Sequence, residues 1–207
     1  MATKAKKTEE VKDITVSLEV KTIRIPIEGI SPLIMNRFDE KSKQQIEESA
    51  PGMKQGGKKK NIVPPEEQYE RSIHYCTDGS CGFPANAFKD AMVTTAYRTF
   101  GRPMTTTRSA FHVIADDPKG LVKINGEHRM REDMVRVGGI QKVAAPRYRA
   151  EFPVWSAVIT IQFLANVITE EELIGLLNAA GFACGIGEWR PEKSSGSYGL
   201  FRVVNSK

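Results

Sequence analysis

Cations and aromatic rings share a glycine-rich segment in the last part of the sequence, residues 185–203, with Trp189, Arg190, Lys193 and Tyr198. Arginine and lysine bind phosphate groups, and aromatic rings stack on nucleobases at about 1–3 kcal/mol per base. The segment is not a strand-to-helix phosphate loop, because no helical pattern follows it. We therefore predict that Trp189, Arg190 and Lys193 contact a nucleic acid, with anchoring of the loop on the core as the alternative for Trp189.

The middle of the sequence, residues 129–149, is richer in arginine than in acids. Two valine-containing stretches flank Gly138-Gly139, which predicts a β-hairpin arm. The arginine fork suits phosphate and its plane stacks on bases, and Tyr148 lies between two arginines. The alternative is a surface hairpin whose arginines pair with local acids such as Glu132 and Asp133. The predicted nucleic-acid contacts here are Arg129, Arg131, Arg136, Arg147, Tyr148 and Arg149.

Lysines provide further candidates. Residues 50–65 combine Lys58, Lys59 and Lys60 with glycine and proline, which predicts a flexible basic loop that either clamps phosphates or is simply solvated. Lys89 lies near the start of a predicted helix, where the positive end of the helix dipole disfavours a cation. This position favours a role in binding an anion. We add the three loop lysines and Lys89 to the predicted contacts.

Other chemistries find little support in the spacing of reactive residues. The sequence has no Ser/His/Asp constellation, no Walker-type loop and no clustered carboxylates. His74, Cys76 and Cys81 lack the second pair of ligands that a zinc site needs. We therefore expect no metal or other cofactor, and binding rather than catalysis.

Composition favours a soluble, folded protein. Hydrophobic residues make up 40% of the chain and charged residues 27%, with a mean hydropathy of −0.35. No apolar run approaches the ~20 residues of a membrane helix, and the charged N-terminus lacks the apolar centre of a signal peptide. Three cysteines, an odd number, fit a reducing compartment, so we expect a cytoplasmic protein with no membrane partner. The net charge of +5 permits nucleic-acid binding.

Alternating apolar residues predict strands, and helical spacing predicts two long helices between them. The strands cover residues 16–30, 109–115, 121–124, 155–164 and 200–204. The first helix begins near Pro84; the second begins at Thr169, whose capping box includes Glu172, and ends at Gly181. This order predicts an α+β fold with a ferredoxin-like (RRM-like) βαββαβ core, an inserted β-hairpin arm and a long basic loop.

A single domain is predicted, because 207 residues allow one core with elaborations. It covers residues 13–207, after a charged, disordered tail of residues 1–12. Residues 38–65 form the flexible basic loop, and residues 103–152 form the insertion that carries the hairpin arm.

Three segments, in this order, resemble the RAMP superfamily of CRISPR proteins. Residues 25–33 are similar to its first strand and turn, residues 82–91 to the start of the first helix in Cas7-like backbone subunits, and residues 185–203 to its glycine-rich loop. This chain has Ala85 and Asn86 where the family has glycine and serine. The resemblance fits a Cas7-like protein carried by a phage or mobile element.

The resemblance implies an RRM-like palm, a hairpin thumb made of residues 129–149, and head-to-tail assembly along single-stranded nucleic acid. We therefore expect non-catalytic binding of single-stranded RNA or DNA by a chain that forms a homo-oligomer or joins a ribonucleoprotein complex. One alternative is a RAMP-type RNA endonuclease, for which Asp39 is the candidate catalytic residue, since RNA-cleaving members place an acid in the loop after the first strand. Another is a structural or decoy subunit that joins or inhibits another complex.

Overall fold

The computed structural model of the chain describes residues 18–37, 63–137, 143–194 and 196–204. Several predictions lie outside these residues: the tail of residues 1–12, the candidate acid Asp39, the lysines Lys58, Lys59 and Lys60, and the turn at Gly138-Gly139. The described elements are β1 (Val20–Gly29), β2 (Leu33–Ile34), α1 (Pro65–Ser72), β3 (His74–Tyr75), β4 (Cys81–Pro84), α2 (Ala85–Phe100), α3 (Met104–Ala110), β5 (Phe111–Ile114), β6 (Leu121–Lys123), β7 (Arg129–Val137), β8 (Val143–Phe152), β9 (Ser156–Leu164), α4 (Glu170–Ala183) and β10 (Phe201–Val203).

Helices and antiparallel sheets are mixed along the chain, as predicted for the α+β class. The largest sheet has the strand order β10-β1-β9-β5, and every neighbouring pair in it is antiparallel. In the sequence, helix α2 lies between β1 and β5, and α4 lies between β9 and β10. Strand β5 belongs to this sheet although it falls within the predicted insertion of residues 103–152.

One face of this sheet carries the core, because apolar residues alternate with polar ones along its strands. In β9, Ile159 and Ile161 are fully buried, whereas Gln162 is exposed on the other face. Phe88 of α2 packs edge-on against Phe201 of β10, with 6.0 Å between ring centroids. The buried side chains of α4 belong to the same cluster. Both long helices therefore contribute to the core on one side of the sheet.

The predicted β-hairpin arm is formed by β7 and β8, which pair in register from Arg129 opposite Glu151 onward. The short strand β2 pairs with β8, which gives a second sheet with the order β2-β8-β7. Helix α1 packs on β8, where the backbone N–H of Ala150 donates to Ser72 Oγ at 2.8 Å. These contacts hold the base of the arm to the rest of the domain.

The start of one predicted strand is wrong. Residues 104–110 form helix α3, so the strand expected from residue 109 begins only at Phe111. Within α3, the hydroxyl of Thr107 donates to the carbonyl of Pro103 at 2.9 Å. Threonine favours strands in isolation, but a side-chain bond to the preceding turn lets it complete a helical turn here.

Glycine at position 181 serves helix packing rather than helix termination. Helix α4 begins with the predicted capping box of Thr169 and Glu172, which is confirmed, but it continues to Ala183, so the prediction that Gly181 ends it is wrong. A Cβ at Gly181 would overlap the carbonyl oxygen of Phe201. The missing side chain therefore lets α4 and β10 approach closely, whereas Gly175 in the same helix has open space around it.

We expect opposite effects of alanine at these two glycines. Gly175→Ala should raise the free energy of unfolding by about 0.5–1 kcal/mol, because alanine is the better helix former. Gly181→Ala should lower it by about 1–3 kcal/mol, because its methyl group overlaps the backbone of Phe201. Urea denaturation measures both changes. Equal effects at the two positions would contradict the close approach of α4 to β10.

Candidate nucleic-acid interface

A buried carboxylate lies at the base of the β7–β8 hairpin. Glu151 is 4% exposed and accepts hydrogen bonds from Arg129 Nε at 2.7 Å and from Arg131 Nη1 at 2.8 Å. Arg129 lies opposite Glu151, and residues two apart on a strand share a face, so the three side chains meet. Burial raises the pKa of the Glu151 carboxyl, but the hydrogen bonds from the two guanidinium groups outweigh it, and the pKa is lowered.

Asp133 extends this arrangement along the same face. Its Oδ1 accepts a hydrogen bond from Arg131 Nε at 2.9 Å, and its Oδ2 lies 3.8 Å from Arg149 Nη1. The side chains alternate in charge and form what we call the arginine ladder: Arg129, Glu151, Arg131, Asp133 and Arg149. The ladder holds three of the predicted contact residues in fixed positions.

Two arginines of the hairpin lie outside the ladder. Arg136 and Arg147 are exposed, and neither forms an ion pair within the part of the chain that the structure describes. The register places Arg147 on the ladder's face, opposite Asp133, and Arg136 on the reverse face. Tyr148 is half-buried on the reverse face, opposite Glu132. The hairpin therefore presents unpaired positive charge on both of its faces.

Tyr198 connects the arginine ladder to the glycine-rich segment. The guanidinium carbon of Arg131 lies 4.7 Å from the centroid of the Tyr198 ring, which is a cation–π contact. Two regions that are far apart in the sequence, the hairpin and the glycine-rich segment, therefore meet on one surface. The structure brings Arg131 and Tyr198 together as a combined cationic and aromatic surface.

Arg190 and Lys193 are both engaged within the glycine-rich segment. Arg190 Nη1 donates to the carbonyl of Gly187 at 2.9 Å, and its Nη2 donates to Glu192 Oε2 at 2.9 Å. Lys193 Nζ donates to Glu188 Oε1 at 3.1 Å. Arg190 is half-buried and closes the segment on itself, whereas Lys193 is exposed and keeps an accessible ammonium group.

Trp189 is held in an unfavourable backbone conformation. Its φ of 56° is the one positive value at a non-glycine position in the described ranges, and such a conformation costs an L-residue about 1–2 kcal/mol. The Tyr198 N–H donates to the Trp189 carbonyl at 3.3 Å, and Gly196 packs so close to that carbonyl that a Cβ would overlap it. The side chain is 36% exposed. Strain at a partly exposed aromatic ring is typical of a binding residue.

The three segments that resemble the RAMP superfamily lie together. The Glu188 N–H donates to the carbonyl of Ile34 at 3.0 Å, and the Gly199 N–H donates to the carbonyl of Pro32 at 2.8 Å. These bonds tie the glycine-rich segment to the turn and short strand that follow β1. The start of α2 lines a cleft of about 680 Å³ together with the same glycine-rich segment.

The outer face of the main sheet mixes polar and small apolar residues. One row across it consists of Thr22, Gln162 and His112, in register on β1, β9 and β5. The outward positions of these three strands hold no phenylalanine, tyrosine or tryptophan. RNA-recognition motifs stack bases on aromatic residues of their sheet, so this sheet does not provide that platform.

Lys89 lies in α2, and its Nζ is 3.1 Å from His112 Nδ1. Neither His112 nor Glu151 is among the contacts predicted from the sequence. The alternate spacing of Arg147, Arg149 and Glu151 in a strand was a usable signal, because residues two apart share a face. His112 gave no such signal, since its partner is on a different element.

His74 lies in β3, Cys76 directly follows that strand, and Cys81 begins β4. Burial and the nearby Arg37 lower the pKa of His74 to about 4. Cys76, Cys81 and Cys184 are free thiols. In the ranges that the structure covers, no group of three or more His, Cys, Asp or Glu side chains could hold a metal ion. No helix in those ranges is both long and apolar enough to cross a membrane.

No protein-family model matches the chain, and no curated protein matches it in sequence. Among solved structures, it is similar to a chain of the Type III-B Cmr-beta, solved by cryo-EM bound to cognate target RNA, with 10% identity and a TM-score of 0.49 over 90% of this chain and 59% of that one. It is also similar to the crystal structure of Cmr6 from Pyrococcus furiosus, with 12% identity and a TM-score of 0.44 over 91% of this chain and 100% of Cmr6. The chain thus spans less than two thirds of the Cmr-beta chain that it matches.

We expect Glu151→Gln to lower the free energy of unfolding by about 1–3 kcal/mol at neutral pH, because an amide cannot pair with two guanidinium groups. A carboxyl whose pKa is lowered by folding stabilises the fold above its unfolded-state pKa, and this contribution is lost as the pH falls through its folded-state pKa. The difference in the free energy of unfolding between wild type and variant, the stability gap, should therefore shrink below about pH 4.3, the ordinary pKa of glutamate.

Urea denaturation at a series of pH values measures this gap. The control is Glu132→Gln, which removes an exposed carboxylate from the reverse face of the same hairpin and should leave the free energy of unfolding nearly unchanged. A gap of constant size from neutral to acidic pH would contradict the role of the Glu151 charge.

Proposed function

We propose that the chain binds single-stranded nucleic acid without cleaving it, as a Cas7-like subunit of the RAMP type. The observation that carries this proposal is the charge imbalance of the β7–β8 hairpin, whose strands hold five arginines and three carboxylates. Two of these carboxylates, Glu151 and Asp133, are engaged in the arginine ladder. The exposed arginines Arg136 and Arg147 form no ion pair with the described residues and are available to bind anions of another molecule.

A nucleic-acid strand supplies the two kinds of group that this surface suits. Its phosphates match arginine forks, whose planar geometry allows paired hydrogen bonds to oxygen atoms. Its bases match aromatic rings: Tyr198 lies against Arg131, and Trp189 of the same glycine-rich segment is partly exposed. Affinity is then dominated by phosphates and stacking, with little reading of base sequence.

The strand order supports a ferredoxin-like core. The order β10-β1-β9-β5, with α2 and α4 as the two connecting helices, corresponds to the βαββαβ arrangement. The meeting of the three RAMP-like segments beside one cleft supports the same family. On this proposal the β7–β8 hairpin is the thumb, and successive copies of the chain line up along the strand.

We expect Arg136→Gln/Arg147→Gln to weaken binding and to flatten its salt dependence. Each phosphate contact on a single strand contributes about 0.7 to the slope of log K against log salt concentration, so the double variant should lose about 1.4. Fluorescence anisotropy with labelled RNA and DNA of one sequence, at several salt concentrations, measures both quantities.

The matched control is Arg98→Gln/Arg102→Gln, which removes one arginine from the last turn of α2 and one from just after it, where they pair with Glu192 and Glu172. The control should keep the wild-type slope to within measurement error. Equal slopes for all three proteins, or a wild type that binds neither strand, would refute the proposed function.

We expect Trp189→Ala to reduce affinity by about 1–3 kcal/mol through lost stacking, with the salt slope unchanged, because stacking displaces no counterions. The control is Phe182→Ala, since Phe182 is a 74% exposed aromatic residue on α4. The same anisotropy titrations apply. A Trp189 variant that binds as tightly as the Phe182 variant would assign Trp189 to anchoring the loop instead.

A further inference from the structure

Two basic side chains meet at the outer edge of the main sheet, and the charge of a third acts on one of them. Lys89 belongs to α2, Arg108 to α3, and His112 points outward from the edge strand β5. Lys89 Nζ lies 3.1 Å from His112 Nδ1. An ammonium group only donates, so Nδ1 accepts this hydrogen bond in the tautomer that carries its proton on Nε2.

Neither Lys89 nor Arg108 forms an ion pair with a carboxylate of the described residues. Burial lowers the pKa of Lys89; Asp90 opposes this effect and Arg108 adds to it. By contrast, Lys123 on neighbouring β6 pairs with Asp78 at 2.6 Å. A half-buried ammonium group such as that of Lys89, which pairs with no carboxylate in the described part of the chain, is stabilised when an anion occupies the site.

The cluster continues into uncharged hydrogen-bonding groups. His112 begins the outward row that runs through Gln162 to Thr22 across the sheet. The anion that fits is therefore attached to a polar chain, since donors and acceptors lead away from the cations over the sheet. A phosphodiester with its sugar meets this description.

We propose that Lys89, Arg108 and His112 bind one phosphodiester group of a nucleic-acid strand that passes over the edge of β5. This inference rests on the proposed function. The ammonium and guanidinium groups neutralise the phosphate, and His112 Nε2–H donates to a phosphate or sugar oxygen. Gln162 and Thr22 contact the sugar or base of the nucleotide next to this phosphodiester group.

The first test compares Lys89→Gln/Arg108→Gln with the matched control Lys123→Gln/Arg102→Gln, which removes one lysine and one arginine from existing ion pairs. In anisotropy titrations the first variant should bind about tenfold more weakly and lose up to about 1.4 from the salt slope. The control should bind like the wild type. If the Lys89/Arg108 variant also binds like the wild type while the Arg136/Arg147 variant is impaired, the subsite is refuted and the proposed function stands.

A second test uses the wild-type protein and needs no variant to fold. Acetylation of lysines, read by mass spectrometry, should modify Lys89 in the free protein and spare it in the complex, whereas Lys123 should react equally in both. Equal reactivity of Lys89 in both states overturns the subsite.

A third measurement separates the subsite from nucleic-acid binding as such. Titration with inorganic phosphate should shift the NMR signals of the His112 ring and leave those of His128 in place. If the protein binds no strand but His112 responds, the anion site stands and the proposed function falls; if His112 does not respond, the site falls.

Discussion

The buried carboxylate of Glu151 determines where the arginines of the hairpin point. A charge that is 4% exposed is tolerated only when donors satisfy it, and Arg129 and Arg131 supply those donors. With its Nη1 bound to Glu151, Arg131 donates from Nε to Asp133, which in turn lies beside Arg149. The orientation of an entire surface thus follows from one acid that has to be neutralised.

Close backbone approaches then connect that surface to the core. The glycine-rich segment lies against the turn after β1 through hydrogen bonds such as the one from Gly199 N–H to the Pro32 carbonyl. Its glycines leave no room for a Cβ at several of these contacts; at Gly187, for example, a Cβ would come within 2.6 Å of the Ile34 carbonyl oxygen. Trp189, the exception in this segment, carries a side chain in a conformation that suits glycine. The glycine-rich segment therefore packs tightly against its neighbours, while the ring of Trp189 stays partly exposed.

Local patterns predicted local structure well in this chain. The capping box at Thr169 depends on four consecutive residues, and the β7–β8 hairpin depends on alternation around two glycines, so both could be read directly from the sequence. Gly181 was misread because the role of a glycine depends on what packs against it, here Phe201. The pairing of the ladder and the contact of Lys89 with His112 depend on register and on tertiary approach, which no single segment encodes.

The position of β1 in its sheet has a consequence for how the chain folds. Ile27 of β1 lies opposite Ala157 of β9 and Val203 of β10, so both of its neighbours come from the far side of the sequence. During synthesis β1 leaves the ribosome before β9 and β10. Its backbone and apolar side chains therefore stay unpaired until those two strands have emerged. Such non-local pairing makes folding slow and leaves the waiting strand open to association with other chains. The order in which the strands emerge therefore matters for the folding of this protein as well as their final pairing.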